Sequence, residues 1–240
     1  MSNDFFQFRQ FTILQERCAM KVGTDGTLLG AWAHGGQHIL DIGTGTGLIA
    51  LMMAQRFPQA TVVGIDIDPA AVMQARENAG RSPFAGRITI WHEDFTQPHG
   101  DHGPATAVGH CYDAIVCNPP YFVSSLKCSN SQRTCARHAD TLPYRTLMLR
   151  AWQLLADGGQ LSVIVPSGQQ ALMESEATLA GFFKHRECVV RTKPTKPPKR
   201  YLFAPFFAEE TLINLVQQEM YCPLSKEPDY KKTCVRFERV

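Results

Sequence analysis

The stretch Asn118-Pro119-Pro120-Tyr121 combines residue types that can bind and activate a planar amino group. It follows the apolar run 112–116, which has the length of one buried parallel strand, so it lies where that strand ends. Ligands of open α/β sheets bind at this edge. The asparagine amide and the proline carbonyls can accept hydrogen bonds from an amine, and the tyrosine ring can stack on it. The alternative is an ordinary X-Pro-Pro turn with a surface tyrosine.

A glycine-rich turn, with Gly43, Gly45 and Gly47, follows the predicted buried strand 39–42 and precedes a predicted helix. Glycines let a ligand approach the backbone, and the helix N-terminus offers free N–H groups. The spacing also fits a dinucleotide fingerprint that uses Asp66. Two features favour S-adenosylmethionine instead. Asp41 would repel a pyrophosphate but attract an amino or sulfonium group, and hydride transfer has no use for the Asn-Pro-Pro-Tyr socket.

Further residues predicted to bind this cofactor lie at other strand ends and near a predicted helix. Asp66 would hold ribose hydroxyls, and Asp94 would accept from an adenine amino group, although an ordinary loop acid is the alternative. Lys21 precedes a helix with Thr24 or Asp25 as the predicted N-cap, which suits a carboxylate; a plain capped helix explains the pattern equally well. The predicted cofactor set is Lys21, Thr24, Asp41, Gly43, Gly45, Gly47, Asp66, Ile67, Asp94, Phe95 and Asn118.

The elements that must position these residues alternate between strand and helix from residue 38 onward, which predicts a doubly wound, mostly parallel α/β sheet. An N-terminal extension (1–36), one domain (37–218) and a peripheral tail (219–240) are expected. In the second half we predict a helix over 141–156, a strand over 160–165, a helix over 169–183, and strands over 187–191, 201–206 and 211–216.

The composition indicates an ordinary globular chain: 240 residues, 44% hydrophobic, with a net charge of +2. No export signal or long apolar run is visible, so we expect a cytoplasmic protein with reduced cysteines and no membrane span. No Cys-x-x-Cys pair occurs, so we expect no metal. The oligomeric state stays open, with a monomer preferred.

Any nucleic-acid footprint must be local, because the net charge is small. Two basic segments are candidates, although a solvated charge run is the default interpretation of each. One follows the socket and the other lies in a proline-rich linker; the residues are Lys127, Arg133 and Arg137, then Lys193, Lys196, Lys199 and Arg200, with Arg191 beside them. Proline-stiffened basic loops suit a phosphate backbone.

Together, these motifs resemble the class I S-adenosylmethionine-dependent methyltransferases that methylate amino groups. Several segments look like the bacterial tRNA1(Val) (adenine(37)-N6)-methyltransferase family; they are 8–11, 20–26, 28–32, 39–48, 82–84, 118–122 and 136–138. The resemblance implies a seven-stranded sheet with an antiparallel C-terminal strand. It also implies Asn118, Pro119, Pro120 and Tyr121 as the catalytic socket and a tRNA adenine as the acceptor. Past residue 206 little of the family pattern remains.

Two other functions remain open from the residues. The same socket can hold any planar NH2 group, so a protein glutamine amide is an alternative acceptor. A catalytically silent module that binds cofactor and RNA is the second. If the acceptor is a tRNA adenine, the Asn118 side-chain oxygen and the Pro119 carbonyl each accept a hydrogen bond from its amino group. These two hydrogen bonds return electron density to the nitrogen, whose lone pair is otherwise delocalised into the ring.

Overall fold

The computed structural model describes residues 4–97, 103–105, 111–120 and 142–206. Elements are labelled in chain order over these residues. The strands are β1 (Phe5–Gln7), β2 (Thr12–Leu14), β3 (His38–Ile42), β4 (Thr61–Asp66), β5 (Ile88–His92), β6 (Tyr112–Cys117), β7 (Leu155–Pro166), β8 (Phe183–Val190) and β9 (Arg200–Phe206). The helices are α1 (Thr24–Trp32), α2 (Leu48–Arg56), α3 (Pro69–Gly80), α4 (Tyr144–Leu154) and α5 (Gln170–Leu179).

Seven strands form one sheet in the order β5-β4-β3-β6-β7-β9-β8. The pairings from β5 through β7 are parallel, whereas β9 runs antiparallel to both of its neighbours. The predicted doubly wound, mostly parallel sheet with an antiparallel C-terminal strand is confirmed. From β3 the chain proceeds outward through β4 and β5, then returns to add β6 on the other side. The crevice between β3 and β6 is therefore the topological switch point, where such sheets bind ligands.

The sheet is buried on both faces, which is why its central strands carry apolar runs rather than alternating patterns. Neighbouring residues of β3 illustrate this: Ile39 packs in a core with α1, α2 and α3, while Leu40 packs in a second core with α4 and α5. Both side chains are fully buried. Helices on both faces thus cover the strands that form the switch point.

Two helices end earlier than the sequence predicts. Gly181, at φ 91°, ends α5 at Leu179, where the N–H groups of Gly181 and Phe182 close a Schellman motif on Thr178 and Ala177. The predicted helix to residue 183 is therefore too long. Helix α4 is also shorter than predicted, because β7 begins directly at Leu155 and the predicted stop at 157–159 forms a bulge.

The N-terminal segment is attached to the sheet domain by buried amide side chains. Asn78 of α3 accepts from the Leu14 N–H at 2.9 Å and donates to the Leu14 carbonyl at 2.8 Å, which fixes the β1–β2 hairpin. The same amide donates to the Thr46 carbonyl at 2.8 Å, inside the glycine-rich turn. One side chain thereby couples the hairpin to the predicted cofactor loop.

Helix α1 begins one residue earlier than its predicted capping positions suggest. Gly23 is the N-cap, without a side-chain cap, so Thr24 and Asp25 lie inside the first turn. The predicted strand 211–216 and tail 219–240 lie outside the described residues. No helix in the described part of the chain is long and apolar enough to cross a bilayer.

Candidate active site

Strand register brings the predicted site residues to one edge of the sheet. Ile42, the last residue of β3, lies opposite Ile65 of β4 and Cys117 of β6. The residues that follow these three, namely Gly43, Asp66 and Asn118, therefore leave the sheet side by side. Carboxyl ends of parallel strands share this edge, so residues far apart in sequence meet there.

The glycine-rich turn depends on left-handed backbone conformations. Gly43, Gly45 and Gly47 have φ values of 67°, 56° and 80°. At Gly47 there is a second constraint, because a Cβ there would lie 3.3 Å from the Cβ of Ala75 on α3. A side chain at this position would be strained by both the backbone and the neighbouring helix.

Asp66 holds the turn in place from the end of β4. Its Oδ2 accepts from the Gly45 N–H at 2.8 Å and its Oδ1 accepts from the Asp68 N–H at 2.9 Å. Burial raises the pKa of this carboxyl, against those two backbone hydrogen bonds, which lower it. Each oxygen keeps a further lone pair, so Asp66 can support the turn and still accept from a ligand hydroxyl.

Asp41 lies beneath the turn, where the sequence alone suggested direct contact with a bound cation. Its side chain is fully buried, and its Oδ2 accepts from the Thr44 hydroxyl at 2.7 Å and from the Ala50 N–H at 3.1 Å. Asp41 and Gly47 are not among the described residues that line the two cavities at the socket, which are described below. The structure thus does not bring these two predicted cofactor residues to the cavity wall, and their observed contacts are with the turn and the adjoining helices.

Burial has an electrostatic consequence for Asp41. The pKa of this carboxyl is raised from 3.8 to about 7, mainly by loss of hydration and to a smaller extent by the negative charge of Asp66, and the hydrogen bonds from Thr44 and Ala50 oppose the change. Its Oδ1 has no hydrogen-bond partner among the described residues. A buried carboxyl with one unpartnered oxygen favours the protonated form.

Two cavities meet at the socket. The larger, of about 550 Å³, contains most of the predicted adenosine contacts, and the smaller, of about 410 Å³, contains the predicted carboxylate contacts. Both are lined by Met20, Gly43, Gly45, Asn118, Pro119 and Pro120. The larger is also lined by Asp66, Ile67, Asp94 and Phe95, and the smaller by Lys21, Thr24, Lys199 and Arg200. The socket therefore forms a wall common to two spaces.

The outer wall of the larger cavity is held by local contacts. Asp94 Oδ1 accepts from both the N–H and the hydroxyl of Thr96, at 2.7 and 2.6 Å. The guanidinium of Arg150 lies 5.3 Å from the ring centroid of Phe95, whose side chain is buried. These contacts orient a carboxylate and an aromatic ring next to each other at the cavity edge.

The two predicted basic segments have different outcomes. In the linker, Lys199 and Arg200 line the smaller cavity, whereas Lys193 and Lys196 are exposed and are not among the described lining residues. Lys127, Arg133 and Arg137 lie outside the described residues, as does Tyr121. Of the two segments, the structure describes only the linker, and it places Lys199 and Arg200 of that linker in the cavity that the socket lines.

Some lining residues were missed by the sequence reasoning. Cys18 and Met20 line the larger cavity, and Asp25 lines the smaller one opposite Arg200. Met20 and Asp25 belong to the same segment as Lys21 and Thr24, so proximity in sequence was an available signal. No sequence signal pointed to Cys18, because a single buried cysteine has no characteristic sequence pattern. Among the described residues, no group of three or more His, Cys, Asp and Glu side chains could hold a metal ion.

Comparison with known proteins agrees with this geometry. Residues 26–196 match the family model for the methyltransferase small domain. A tRNA1(Val) (adenine(37)-N6)-methyltransferase from Bacteroides fragilis is 44% identical over 228 residues, which covers 92% of this chain and 94% of the relative. The chain belongs to the tRNA1(Val) (adenine(37)-N6)-methyltransferase family.

Two further relatives carry the same name. A protein of the same name from Porphyromonas gingivalis is 49% identical, covering 84% of this chain and 80% of that one. One from Vibrio vulnificus is 41% identical, covering 82% and 80%. Each of these matches covers more than four fifths of the chain.

Solved structures agree on the fold of this methyltransferase. A "predicted O-methyltransferase" from Agrobacterium tumefaciens superposes with a TM-score of 0.59 at 20% identity, covering 76% of this chain and 80% of that one. A SAM-dependent O-methyltransferase from Thermotoga maritima gives 0.53 at 13% identity, covering 79% and 66%. At such identities the likeness concerns the fold alone.

Proposed function

We propose that this protein transfers a methyl group from S-adenosylmethionine to the exocyclic N6 amine of an adenine in tRNA, namely adenine 37 of a valine tRNA. Membership of a family with that activity in its name supports the reaction. The single observation that carries the site assignment is the position of the socket: Asn118, Pro119 and Pro120 form a wall common to two cavities. A donor that extends along this wall and an acceptor at the mouth of the smaller cavity would meet there.

The residues of the larger cavity fit the cofactor. The carboxylate of Asp66 can accept from a ribose diol, and the adjacent Asp94 and Phe95 can accept from and pack against an adenine. Across the shared wall, Lys21 of the smaller cavity, before the N-terminus of α1, can pair with the carboxylate of a methionine moiety. When bound, S-adenosylmethionine supplies an electrophilic methyl group on a sulfonium. Residues 18–20 line the larger cavity and residues 20–26 line the smaller one, so we assign the predicted N-terminal extension to the site together with the domain over 37–218.

The socket residues would act on the acceptor by hydrogen bonding. The Asn118 side-chain oxygen and the Pro119 carbonyl accept the two N–H bonds of the amine, which keeps the nitrogen lone pair available for attack. Such preorganised acceptors are commonly a large catalytic contribution. A general base is unnecessary, because the methylated product cation is strongly acidic. Tyr121 would stack on the adenine after it leaves its loop.

The acceptor RNA would approach from the smaller cavity. Its wall includes Lys199 and Arg200 of the basic linker, and Lys193 and Lys196 extend the positive charge outward along the same turn. Phosphate oxygens pair with such cations without regard to base sequence. Lys127, Arg133 and Arg137 remain predicted RNA contacts. A tRNA substrate supports a cytoplasmic location for the protein.

The reaction is tested by incubating the purified protein and labelled S-adenosylmethionine with total tRNA from a strain that lacks it. We expect label in N6-methyladenosine at one position of a valine tRNA after nucleoside mapping. Binding without transfer would instead support the silent module. Label in protein glutamine, with tRNA affinity insensitive to salt, would support the alternative acceptor, because phosphate contacts predict a steep loss of affinity with salt.

The socket is tested by Asn118→Ala. We expect the rate of methyl transfer to fall by about 10²–10³, the usual cost of removing one preorganised donor or acceptor at a reacting centre. Cofactor affinity, measured by calorimetry, should change by less than about threefold, because Asp66, Asp94 and Lys21 remain. Gln59→Ala is the matched control, since it removes an exposed amide near the start of β4, at the opposite edge of the sheet. Undiminished turnover in the Asn118 variant would remove the socket from the mechanism.

A further inference from the structure

The basic linker, residues 191–200, is an ordered turn between β8 and β9. The Arg191 guanidinium donates to the Lys196 carbonyl at 2.8 Å, and the Lys196 N–H donates to the Lys193 carbonyl at 3.0 Å. The Lys199 N–H donates to the Val190 carbonyl at 2.8 Å, which closes the hairpin. Because these hydrogen bonds already restrict the loop, it loses little conformational entropy when it binds a partner.

Arg200 connects this linker to helix α1. Its Nε donates to Asp25 Oδ2 at 2.8 Å, and the two side chains are only 23% and 20% exposed. Its Nη1 also donates to the Lys199 carbonyl at 3.0 Å. Asp25 lies in the first turn of α1, directly after Thr24, and both members of the pair line the smaller cavity. The ion pair therefore joins two walls of that cavity across 175 residues of sequence.

The lysines of the linker are used differently from its arginines. Arg191 and Arg200 both make hydrogen bonds that shape the turn or attach it to α1. In the part of the chain that the structure describes, no carboxylate forms an ion pair with Lys193, Lys196 or Lys199, and all three are exposed. Lysine is a compact charge suited to nonspecific phosphate contact, whereas the planar guanidinium suits fixed geometry.

We propose that Arg200 is a positioning residue rather than a phosphate ligand: the Asp25–Arg200 pair holds the basic linker against α1, and Lys193, Lys196 and Lys199 then contact the RNA backbone at the mouth of the smaller cavity. This inference rests on the proposed function, since it assumes that RNA enters there. Of the four linker cations predicted from sequence to bind RNA, Arg200 then has a structural role, and the three lysines contact the RNA.

The direction in which Asp25→Ala changes tRNA affinity distinguishes the two possible roles of Arg200. If Arg200 contacted phosphate, Asp25 would compete with the RNA, and Asp25→Ala would strengthen tRNA binding. If the pair positions the linker, Asp25→Ala weakens binding although it removes a negative charge. We expect the dissociation constant for tRNA, measured without cofactor, to rise about tenfold in Asp25→Ala and in Arg200→Ala. The double variant should be no weaker than Arg200→Ala alone, because both changes break the same contact.

Three further variants accompany this double-mutant cycle of Asp25 and Arg200. Asp25→Asn, which keeps a hydrogen-bond acceptor for Arg200, should recover most of the affinity. Glu16→Ala, which removes an exposed acid from the turn after β2, should not weaken binding. Lys193→Ala should reduce the slope of log affinity against log salt concentration by about 1. Thermal melting identifies any variant that has lost its fold.

Linker order can also be measured without RNA. Trypsin should cleave after Arg191 and Lys199 faster in Asp25→Ala than in the parent protein, because the linker is no longer held against α1. Tighter tRNA binding by Asp25→Ala, or equal cleavage rates, would overturn the positioning role. Failure of the parent protein to methylate tRNA would instead overturn the proposed function, and the cleavage rates would still decide whether the pair orders the linker.

Discussion

Replacement of Asp41 by asparagine should make the stability of this protein less sensitive to pH. The Asp41 carboxyl is fully buried beneath the glycine-rich turn, and its Oδ2 accepts from Thr44 and Ala50. An asparagine oxygen can accept the same two hydrogen bonds, so the geometry of the turn is preserved. The amide cannot ionise, which isolates the effect of charge.

The magnitude follows from the raised pKa. A carboxyl whose pKa is about 7 instead of 3.8 destabilises the native state by about 4 kcal/mol once it is ionised, at about 1.4 kcal/mol for each tenfold change in proton affinity. Between these two values the native state holds a proton that the unfolded chain has lost. Native stability therefore falls as pH rises from about 4 to about 7, and the penalty is constant above that.

The assay is urea denaturation of the parent and of Asp41→Asn across this pH range. At low pH the variant should be less stable by about 1–3 kcal/mol, because its amide N–H groups are buried without acceptors. As pH rises, the unfolding free energy of the parent should fall relative to that of the variant by up to about 4 kcal/mol. Parallel pH profiles for the two proteins would refute the reasoning, because Asp41 would then ionise at its ordinary pKa.

A bound cation provides a second condition for the same assay. Among the described residues, Asp66 and Cys117 are the titratable groups that interact electrostatically with Asp41, and neither neutralises a negative charge on it. S-adenosylmethionine carries positive charge, so at saturation it should favour ionised Asp41 and reduce the pH-dependent difference between the parent and the variant. An unchanged difference would show that Asp41 does not sense the cofactor.

The remaining predictions concern the turn and the cofactor site. Gly47→Ala should lower the free energy of unfolding by about 1–3 kcal/mol, because φ is 80° and the new Cβ meets Ala75. Gly86→Ala, where a Cβ meets nothing within 4 Å, is the control, and equal urea midpoints for the two would contradict the strain argument. Asp66→Asn should weaken cofactor binding at least about tenfold by calorimetry, because the carboxylate that orders Gly45 and faces the larger cavity is lost. Unchanged affinity would remove Asp66 from the cofactor site.

Much of the site was predictable because its chemistry is local in sequence. The Asn-Pro-Pro stretch, the glycine-rich turn and Asp66 each follow a recognisable strand, and parallel strands bring their carboxyl ends to one edge. The sequence pattern therefore predicted which residues meet before any distance was known. The same logic placed Asp94 and Phe95 after the next strand, where the structure finds them lining the larger cavity.

Side-chain direction at Asp41 could not be predicted in this way. Strand β3 is buried on both faces, so it lacks the alternation of polar and apolar residues that would reveal which way each side chain points. A charged residue in such a strand can face a ligand or lie beneath the loop. Only the positions of Thr44 and Ala50, set by the turn and by α2, decide that it lies beneath.

The sequence by itself determined the fold class and the chemical character of the socket, because both depend on periodicity and on residue types close together in the chain. Tertiary structure alone decided that Asp25 pairs with Arg200 and that the socket separates two cavities. Contacts between segments far apart in sequence leave no local pattern, since either partner is an ordinary charged residue within its own segment. The basic linker therefore contacts α1, and lies at the cavity that Asn118 lines, only when the sheet assembles.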